Sequence, residues 1–417
     1  IVSGVYFTVK CRFFQFRFLP ASLKYAFGGM KKGGGKSGVS PFQAACTALS
    51  ATVGTGNIAG VAGAVAIGGA GAVFWMWVSA FAGMIVKVAE ILLSLEYREK
   101  KQAEYIGGPM YYIKNGLPKI LAPLSFLYAA AAVPAVFCSG NLTQTGAAVQ
   151  SFGGGTAVKF IGGAAFAAIT AAVLAGGAER IGNFTGKIVP FMALLYLIMT
   201  FGIIGVNISR LPAALSMILE GAFKPAAVTG GAVGSLSAAV LTGASRGVFS
   251  NEAGLGTSAM AHSASAYTDG TRQSLFGIFE VFVDTVVICT LTALSMLCSG
   301  VGIEYGKGAS TELVSSAFAT LYGKYSVILL AVMMCLFGLS SVIGWGYYGI
   351  VSCNFLFGKT GRRLFLLLYP LFCIPGALMN IDAAWRLSAF FNGMLLSINV
   401  FAVLLLSEKV IIRLKDL

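Results

Sequence analysis

Histidine occurs once in this chain, at His262, and only 11% of the residues are charged. One histidine excludes an H-E-x-x-H metal site, and no nucleophile–base pair takes its place, so an intramembrane enzyme has no chemistry to run on. A soluble domain carries about 25% charged residues, so nothing here reads as a separate soluble unit. The cysteines Cys11, Cys46, Cys138, Cys289, Cys298, Cys335, Cys353 and Cys373 include no C-x-x-C pair. Scattered mostly through apolar runs, they read as small buried hydrophobes rather than disulfides or metal ligands. No selectivity-filter repeat supports a channel. Gly35-Lys36-Ser37 looks like the end of a P-loop, but the first glycine would have to stand at Met30. Its setting is a basic, glycine-rich loop, not a strand–loop–helix, so nucleotide binding is dismissed and no organic cofactor is expected.

What the chain does have is apolar length. Of its 417 residues 57% are hydrophobic, with a mean hydropathy of +0.84. Runs near the ~20 residues needed to cross a bilayer recur throughout. The expected fold class is an all-α polytopic membrane protein with ten spans, near 42–68, 71–96, 120–149, 157–176, 184–207, 230–265, 273–299, 323–354, 363–379 and 383–407. The first, sixth and eighth are long or broken, with glycine near their middles. Pro212 to Phe223 reads as an interfacial helix. Ile1 to Val9 is too short to span and reads as the end of a truncated extra helix. The basic residues follow it rather than precede it, so it is not a signal peptide.

A net charge of +14 suggests nucleic acid, but its placement argues for a lipid bilayer and no nucleic acid. Twenty-one of the 29 basic residues fall in alternate loops on the side of the first one, and six on the other. The positive-inside rule places that first loop and the C-terminus in the cytoplasm. Spans one to five (42–207) and six to ten (230–407) form two equal sets. They are flanked by a basic N-terminal segment (1–41), a connecting loop (208–229) and a cytoplasmic tail (408–417). Five is odd, so the second set is inverted relative to the first. Two inverted five-helix repeats with broken first helices are the leucine-transporter type of arrangement.

The breaks carry the strongest signal. Gly54-Thr55-Gly56-Asn57-Ile58-Ala59 and Gly254-Leu255-Gly256-Thr257-Ser258-Ala259 both read G-x-G-x-x-A, one in each half. Glycine is costly in a helix interior, and broken backbone in lipid is tolerated only where protein buries it or it lines a cavity. A dinucleotide fingerprint needs a strand before the glycines, and the flanks here are membrane helix. Two readings stay open: tight packing through small residues, or an unwound stretch whose second half-helix points its N-terminus at a substrate carboxylate. Thr52, Thr55 and Asn57 add polar side chains at that break. In span six, Gly247, Val248, Phe249, Ser250 and Asn251 precede the second one. Arg246 and Glu252 are expensive in a membrane. They are a functional pair of charges, a structural ion pair, or residues snorkelling to an interface.

Other polar residues have competing readings. Ser340 and Ser341 in span eight are cation ligands or bond back to the preceding turn. Glu280 and Asp284, at i and i+4 on span seven, face one way and form a proton or cation site or stabilise Arg246. Lys87 and Glu90 read as a structural pair near the cytoplasmic face. His262 reads as an interfacial or packing residue, with a proton relay as the alternative. Trp345, four residues after Ser341, faces the centre with it and limits substrate size, or faces lipid as an anchor.

The segment Thr47-Ala48-Leu49-Ser50-Ala51-Thr52-Val53-Gly54-Thr55-Gly56-Asn57-Ile58-Ala59-Gly60-Val61 resembles the signature of the alanine or glycine:cation symporter family. Phe74-Trp75-Met76-Trp77, Gly108-Pro109-Met110-Tyr111-Tyr112 and Phe249-Ser250-Asn251-Glu252-Ala253-Gly254-Leu255-Gly256 resemble it in the same order. The likeness covers nearly the whole chain. It implies sodium-coupled uptake of a small amino acid, alanine or glycine, across a prokaryotic cell membrane. The alternative is a proton-coupled or other-substrate carrier of the same fold. Fold correspondence suggests a Na+ site from carbonyls of Ser50 and Val53 with hydroxyls of Ser340 and Ser341. The chain departs from the family pattern at its start, where only the end of the preceding helix is present.

Overall fold

The computed structural model describes residues 1–31, 38–101, 104–231, 235–267, 269–306 and 311–415. Gly35-Lys36-Ser37 lies outside the described residues. Seven helices are long and apolar enough to cross a bilayer, and the bent pair Pro41–Thr52 with Thr55–Gly68 makes an eighth. The helix Ser326–Leu371 holds two spans, because Gly358 at φ +62 turns the chain between them. The pieces Leu236–Asn251 and Thr257–Ser263 form the sixth span. Among the described residues this gives the ten spans expected, in two sets of five, each opening with a broken helix. Span five starts earlier than its sequence pattern suggested, at Gly177.

Local chemistry explains the breaks. Span one is launched by a capping box, in which Ser40 Oγ accepts from Gln43 N–H and Gln43 Oε1 accepts from Ser40 N–H, with Pro41 in the first turn. The helix stops at Thr52, crosses an extended Gly54 and a tight turn over Thr55–Asn57, and restarts at Ala59–Gly68, bent by 57°. Span six stops where Glu252 takes a left-handed conformation, φ +56. It then passes Gly254 and Gly256, both at positive φ, before Thr257–Ser263 begins. Two glycines at left-handed positions make that turn sterically open.

Span eight takes the long rather than the broken form. It is unbroken from 326 to 357, and its glycines are contact surfaces. A Cβ at Gly344 would lie 2.5 Å from Ser50 Oγ, and one at Gly338 would lie 2.9 Å from the Ala148 methyl. Small residues here let helices approach where no water drives them together. The basic N-terminal loop is corrected. Phe14–Lys31 is helical, and it buries Phe14, Gln15 and Ser22, with Ser22 Oγ donating to the Leu275 carbonyl. The apolar residues among its charges fall at helical spacing.

Two small elements had no sequence reading of their own. Between spans two and three, Glu99–Lys101 pairs antiparallel with Glu104–Ile106, Glu99 opposite Ile106. The buried helix Pro109–Gly116 then carries the Gly108-Pro109-Met110-Tyr111-Tyr112 motif. Near them, Lys409 of the last helix, Ser407–Lys415, donates to the Tyr97 hydroxyl. The interfacial helix is present as Leu211–Phe223. It docks on span two, where Trp75 Nε1 donates to the Ala222 carbonyl. Large apolar residues stay exposed on the outer spans, as Phe191, Leu194, Ile198 and Phe201 do on span five. These are the lipid-facing side.

Span two packs tightly on span six. A Cβ at Gly243 would stand 2.3 Å from the Ala72 carbonyl oxygen, whereas one at Gly393 of span ten would meet nothing within 4 Å. Gly243→Ala is therefore expected to lower the apparent melting temperature in detergent, by an overpacking cost of about 1–3 kcal/mol. Gly393→Ala should leave it unchanged or raise it. Equal melting temperatures in the two variants would remove the close approach of spans two and six.

Candidate functional site

A helix that stops leaves carbonyls without their usual amides. In span one the amide that would serve Ser50 is that of Gly54, and it donates instead to Asn57 Oδ1 at 2.9 Å. The amide that would serve Ala51 is that of Thr55, and it goes to Gln144 Oε1 at 3.0 Å, as does the Thr55 hydroxyl at 2.9 Å. In span six the amide that would serve Phe249 is that of Ala253, and it goes to Asn251 Oδ1 at 3.0 Å. Three side-chain amides thus hold the diverted N–H groups and free carbonyls of Ser50, Ala51 and Phe249 from their helical partners.

The two breaks meet around one central cavity, lined by Ala51, Thr52, Gly54, Gly56, Ser139, Gln144, Phe249, Ser250, Glu252 and Trp345. Its volume is about 10 Å³, close to the room of a single water. Side chains must move for anything larger to bind. Trp345 is buried and belongs to this wall, not to the lipid face. Gly140 lets it sit there, since a Cβ at that position would fall 2.2 Å from that of Trp345. On the other side the Phe249 ring packs on Trp385 of span ten, with centroids 4.8 Å apart, and both rings lie against Gly56.

Asn57 is the cross-brace between the breaks. Its Nδ2 donates to Asp284 Oδ1 at 2.7 Å and to Ser250 Oγ at 3.0 Å. Asp284 also accepts from Ser250 Oγ at 2.6 Å and Thr285 Oγ1 at 2.8 Å. Its carboxylate is buried and held by neutral donors. The Asn57 carbonyl accepts from Thr292 Oγ1, which Tyr196 contacts in turn.

The cation hypothesis finds part of its geometry. Ser341 Oγ lies 3.5 Å from the Val53 carbonyl oxygen. A Cβ on Gly54 would fall 2.5 Å from the same hydroxyl. Ser340 Oγ instead donates to the Phe337 carbonyl at 2.9 Å and contacts Met192 Sδ at 3.3 Å. It follows the back-bonding alternative.

Several sequence-stated residues lie elsewhere. Gly247 packs on Ser79 of span two, and Val248 lines outer surface cavities. The Asn251 side chain is spent on Ala253 N–H and Thr285. Arg246 and Glu252 are not a pair: Arg246 stacks over the Trp385 ring at 5.2 Å, and Glu252 accepts from Thr257 Oγ1 at 2.5 Å. The left-handed turn at Glu252 swings its carboxylate inward. Lys87 and Glu90 are not a pair either. Lys87 Nζ donates to the Asn251 carbonyl at 2.7 Å and lies 3.4 Å from Glu280 Oε2, while Glu90 accepts from Asn399 Nδ2 at 2.6 Å. Glu280 and Asp284 serve separate networks and neither reaches Arg246. A π-helical stretch, Phe282–Cys289, begins between them and changes their relative angle. His262 is buried rather than interfacial, bonded to Glu280 at 2.6 Å and Gln273 at 2.9 Å. Sequence reasoning missed Ser139 and Gln144. The polar run Ser139-Gly140-Asn141-Leu142-Thr143-Gln144-Thr145, inside an apolar span, was the available signal.

Residues 1–417 match the sodium:alanine symporter family. The chain is 38% identical to the sodium/alanine symporter AgcS of Methanococcus maripaludis, over 98% of this chain and 91% of that protein. It is 33% identical to the probable sodium/glutamine symporter GlnT of Bacillus subtilis, over 99% and 85%. Among solved structures, MhsT in complex with L-phenylalanine superposes with a TM-score of 0.64 at 14% identity, covering 89% of each chain. That likeness gives the leucine-transporter-type fold.

Asp284 is the acceptor on which three buried donors converge. Asp284→Leu is expected to destabilise the protein by about 3 kcal/mol or more, because those donors lose their partner in a dry interior. Asp284→Asn, which keeps one acceptor oxygen, should fall between. Thermal unfolding in detergent measures this, and a melting temperature unchanged in Asp284→Leu would show that the brace contributes nothing.

Proposed function

The chain belongs to the sodium:alanine symporter family, and from that premise we propose that it takes up alanine or glycine together with Na+ by alternating access. It is a multi-pass membrane transporter of the amino acid:cation symport type. The observation that carries the finer reading is the meeting of two broken helices, with carbonyls released from helical bonding, around a closed cavity walled by Phe249 and Trp345. The substrate carboxylate is assigned to the Gly56 end of the Gly54-Thr55-Gly56 turn, at the N-terminal end of the second half of span one, because Asn57 and Gln144 hold the Gly54 and Thr55 amides. The ammonium is assigned to Glu252 and the freed Phe249 carbonyl. Neither charge of the zwitterion then requires a buried lysine or arginine.

Na+ is assigned to the Ser50 and Val53 carbonyls with Ser341, and Ser340 is a weaker candidate because its hydroxyl is bonded elsewhere. Oxygen ligands suit a hard cation. Each charge moving down ~100 mV yields about 2.3 kcal/mol to drive uptake. The basic side of the protein, with the 14–31 helix and the C-terminal helix, is assigned to the cytoplasm of a prokaryotic cell. Binding in a space this small requires the rings of Phe249 and Trp345 to move, which couples occupancy to opening and closing.

Proteoliposomes test the reading. Labelled alanine should accumulate only with an inward sodium gradient, and a proton gradient should not replace it. In that assay Ser341→Ala should shift the half-activating sodium concentration upward by about tenfold, the loss of one ligand. Ser340→Ala should shift it less. Accumulation without sodium, or identical activation curves in Ser341→Ala and wild type, would reject the assignment.

Trp345 sets the size limit. Its indole occupies the space that a branched side chain needs. Trp345→Ala is expected to let valine and leucine compete with labelled alanine, while alanine affinity falls. An inhibition profile identical to wild type would place the limit elsewhere.

A further inference from the structure

His262, the chain's one histidine, lies buried in the second half of span six and outside the walls of the central cavity. It belongs to a run of polar contacts that begins at the break in span six and ends on span one. Lys87 Nζ donates to the Asn251 carbonyl and faces Glu280. Glu280 bonds His262, His262 bonds Gln273, and Gln273 bonds the carbonyl of Pro41, the first residue of the span one helix.

The direction of these bonds is fixed at one end. A carbonyl only accepts, so the Gln273 atom 3.2 Å from the Pro41 oxygen is the amide nitrogen. The same nitrogen lies 2.9 Å from His262 Nδ1, which therefore accepts. A neutral imidazole carries one ring proton. Here it sits on His262 Nε2 and is donated to Glu280 Oε1 at 2.6 Å. Gln273 Oε1 is left buried without a partner.

A second proton, on Nδ1, sets donor against donor at Gln273. Turning the amide over resolves that conflict. Oε1 then accepts from Nδ1–H and gains the partner it lacked, but the Pro41 carbonyl loses its donor and faces an oxygen instead. Glu280, already facing Lys87, is the anion that the imidazolium meets. Around this pair stand Arg98, bonded to the Ser263 carbonyl, and Cys46, Tyr348 and Glu252, the last three within electrostatic reach of Glu280. The start of span one has a second tether, since the Val39 carbonyl accepts from Ala266 N–H at 2.9 Å. One tether is permanent and the other depends on a proton.

We propose that Gln273 is a positioning residue that reads the protonation of His262. With a neutral ring it holds the start of span one, and with a charged ring it lets that start go. The proposal rests on the alternating-access reading above and adds to it a control on how readily the basic-side end of span one opens. This is control of rate by a proton, distinct from a proton gradient as the driving force.

Because there is one histidine, 15N-histidine labelling of the full chain on a histidine-free tag reports His262 alone. In lipid nanodiscs the neutral ring is expected as the Nε2–H tautomer, taking a second proton on Nδ1 between about pH 8 and pH 5. Over the same interval, hydrogen exchange of amides 42–47, corrected for its intrinsic pH dependence, should quicken by roughly two- to tenfold, the weight of one hydrogen bond. His262→Gln should remove that pH step. Gln273→Leu should leave these amides fast at every pH, whereas a merely structural role would change protection with the step intact. An Nδ1–H tautomer, a ring still neutral at about pH 5, or protonation with unchanged exchange at 42–47 each overturns the proposal. These three readings come from wild type and need no transport. Absent sodium-driven uptake, which defeats the symport reading, is therefore told apart from failure of the switch.

Discussion

The structure depends on one constraint: backbone N–H groups released inside a membrane must find partners, because lipid offers none. Spans one and six both stop midway, and each stop strands amides. Asn57, Gln144 and Asn251 take them with side-chain carbonyls. Each of these residues is anchored to another span: Asn57 to Asp284, Asn251 to Thr285, and Gln144 by its own place on span three. The solution to the backbone problem is therefore also the link between helices. It leaves the carbonyls of Ser50, Ala51 and Phe249 without their helical amides, and these are oxygens that the centre can offer a cation.

The buried charges follow the same economy. Lys87 closes on Glu280 and on the carbonyl of Asn251, the residue that ends the first half of span six. His262, in the second half of that span, closes on Glu280 from the other side. Both halves of span six are thus tied to one carboxylate of span seven. On another face Asn399 of span ten joins Glu90 to the Gly254 carbonyl, with Tyr112 on its own oxygen. Broken helices held by bonds at both pieces can tilt as units without exposing backbone. A buried ion pair contributes little net stability. Its value here is positional.

Much of this was legible in the sequence. Composition and run length gave a polytopic helical protein, and the alternation of basic loops fixed the parity of spans. Gly54, Gly56, Gly254 and Gly256 marked the breaks, because two G-x-G-x-x-A segments stand one in each half of the chain. Thr52, Phe249, Ser250 and Trp345 reached the cavity from their place beside those glycines or one turn from Ser341. Pairings were less legible. Lys87 with Glu90 and Arg246 with Glu252 were proximity arguments along one helix, and both failed. At i and i+3 two side chains share a face only loosely, and at a broken helix spacing carries no angle at all.

The sequence by itself determined the fold class, the two breaks and the family, because hydrophobic length, glycine placement and a long motif are local properties that neighbours cannot alter. Tertiary structure decided which polar atoms face one another. It sent Gln144 from span three to the amide of Thr55, turned Glu252 inward through a left-handed residue, and set Arg246 on Trp385 instead of on an acid in its own helix. It also sent Asp284 and Glu280 to different networks by inserting a π-helical stretch between them. Those outcomes depend on the relative rotation and depth of helices far apart in the chain. Packing sets these, and no window of sequence contains them.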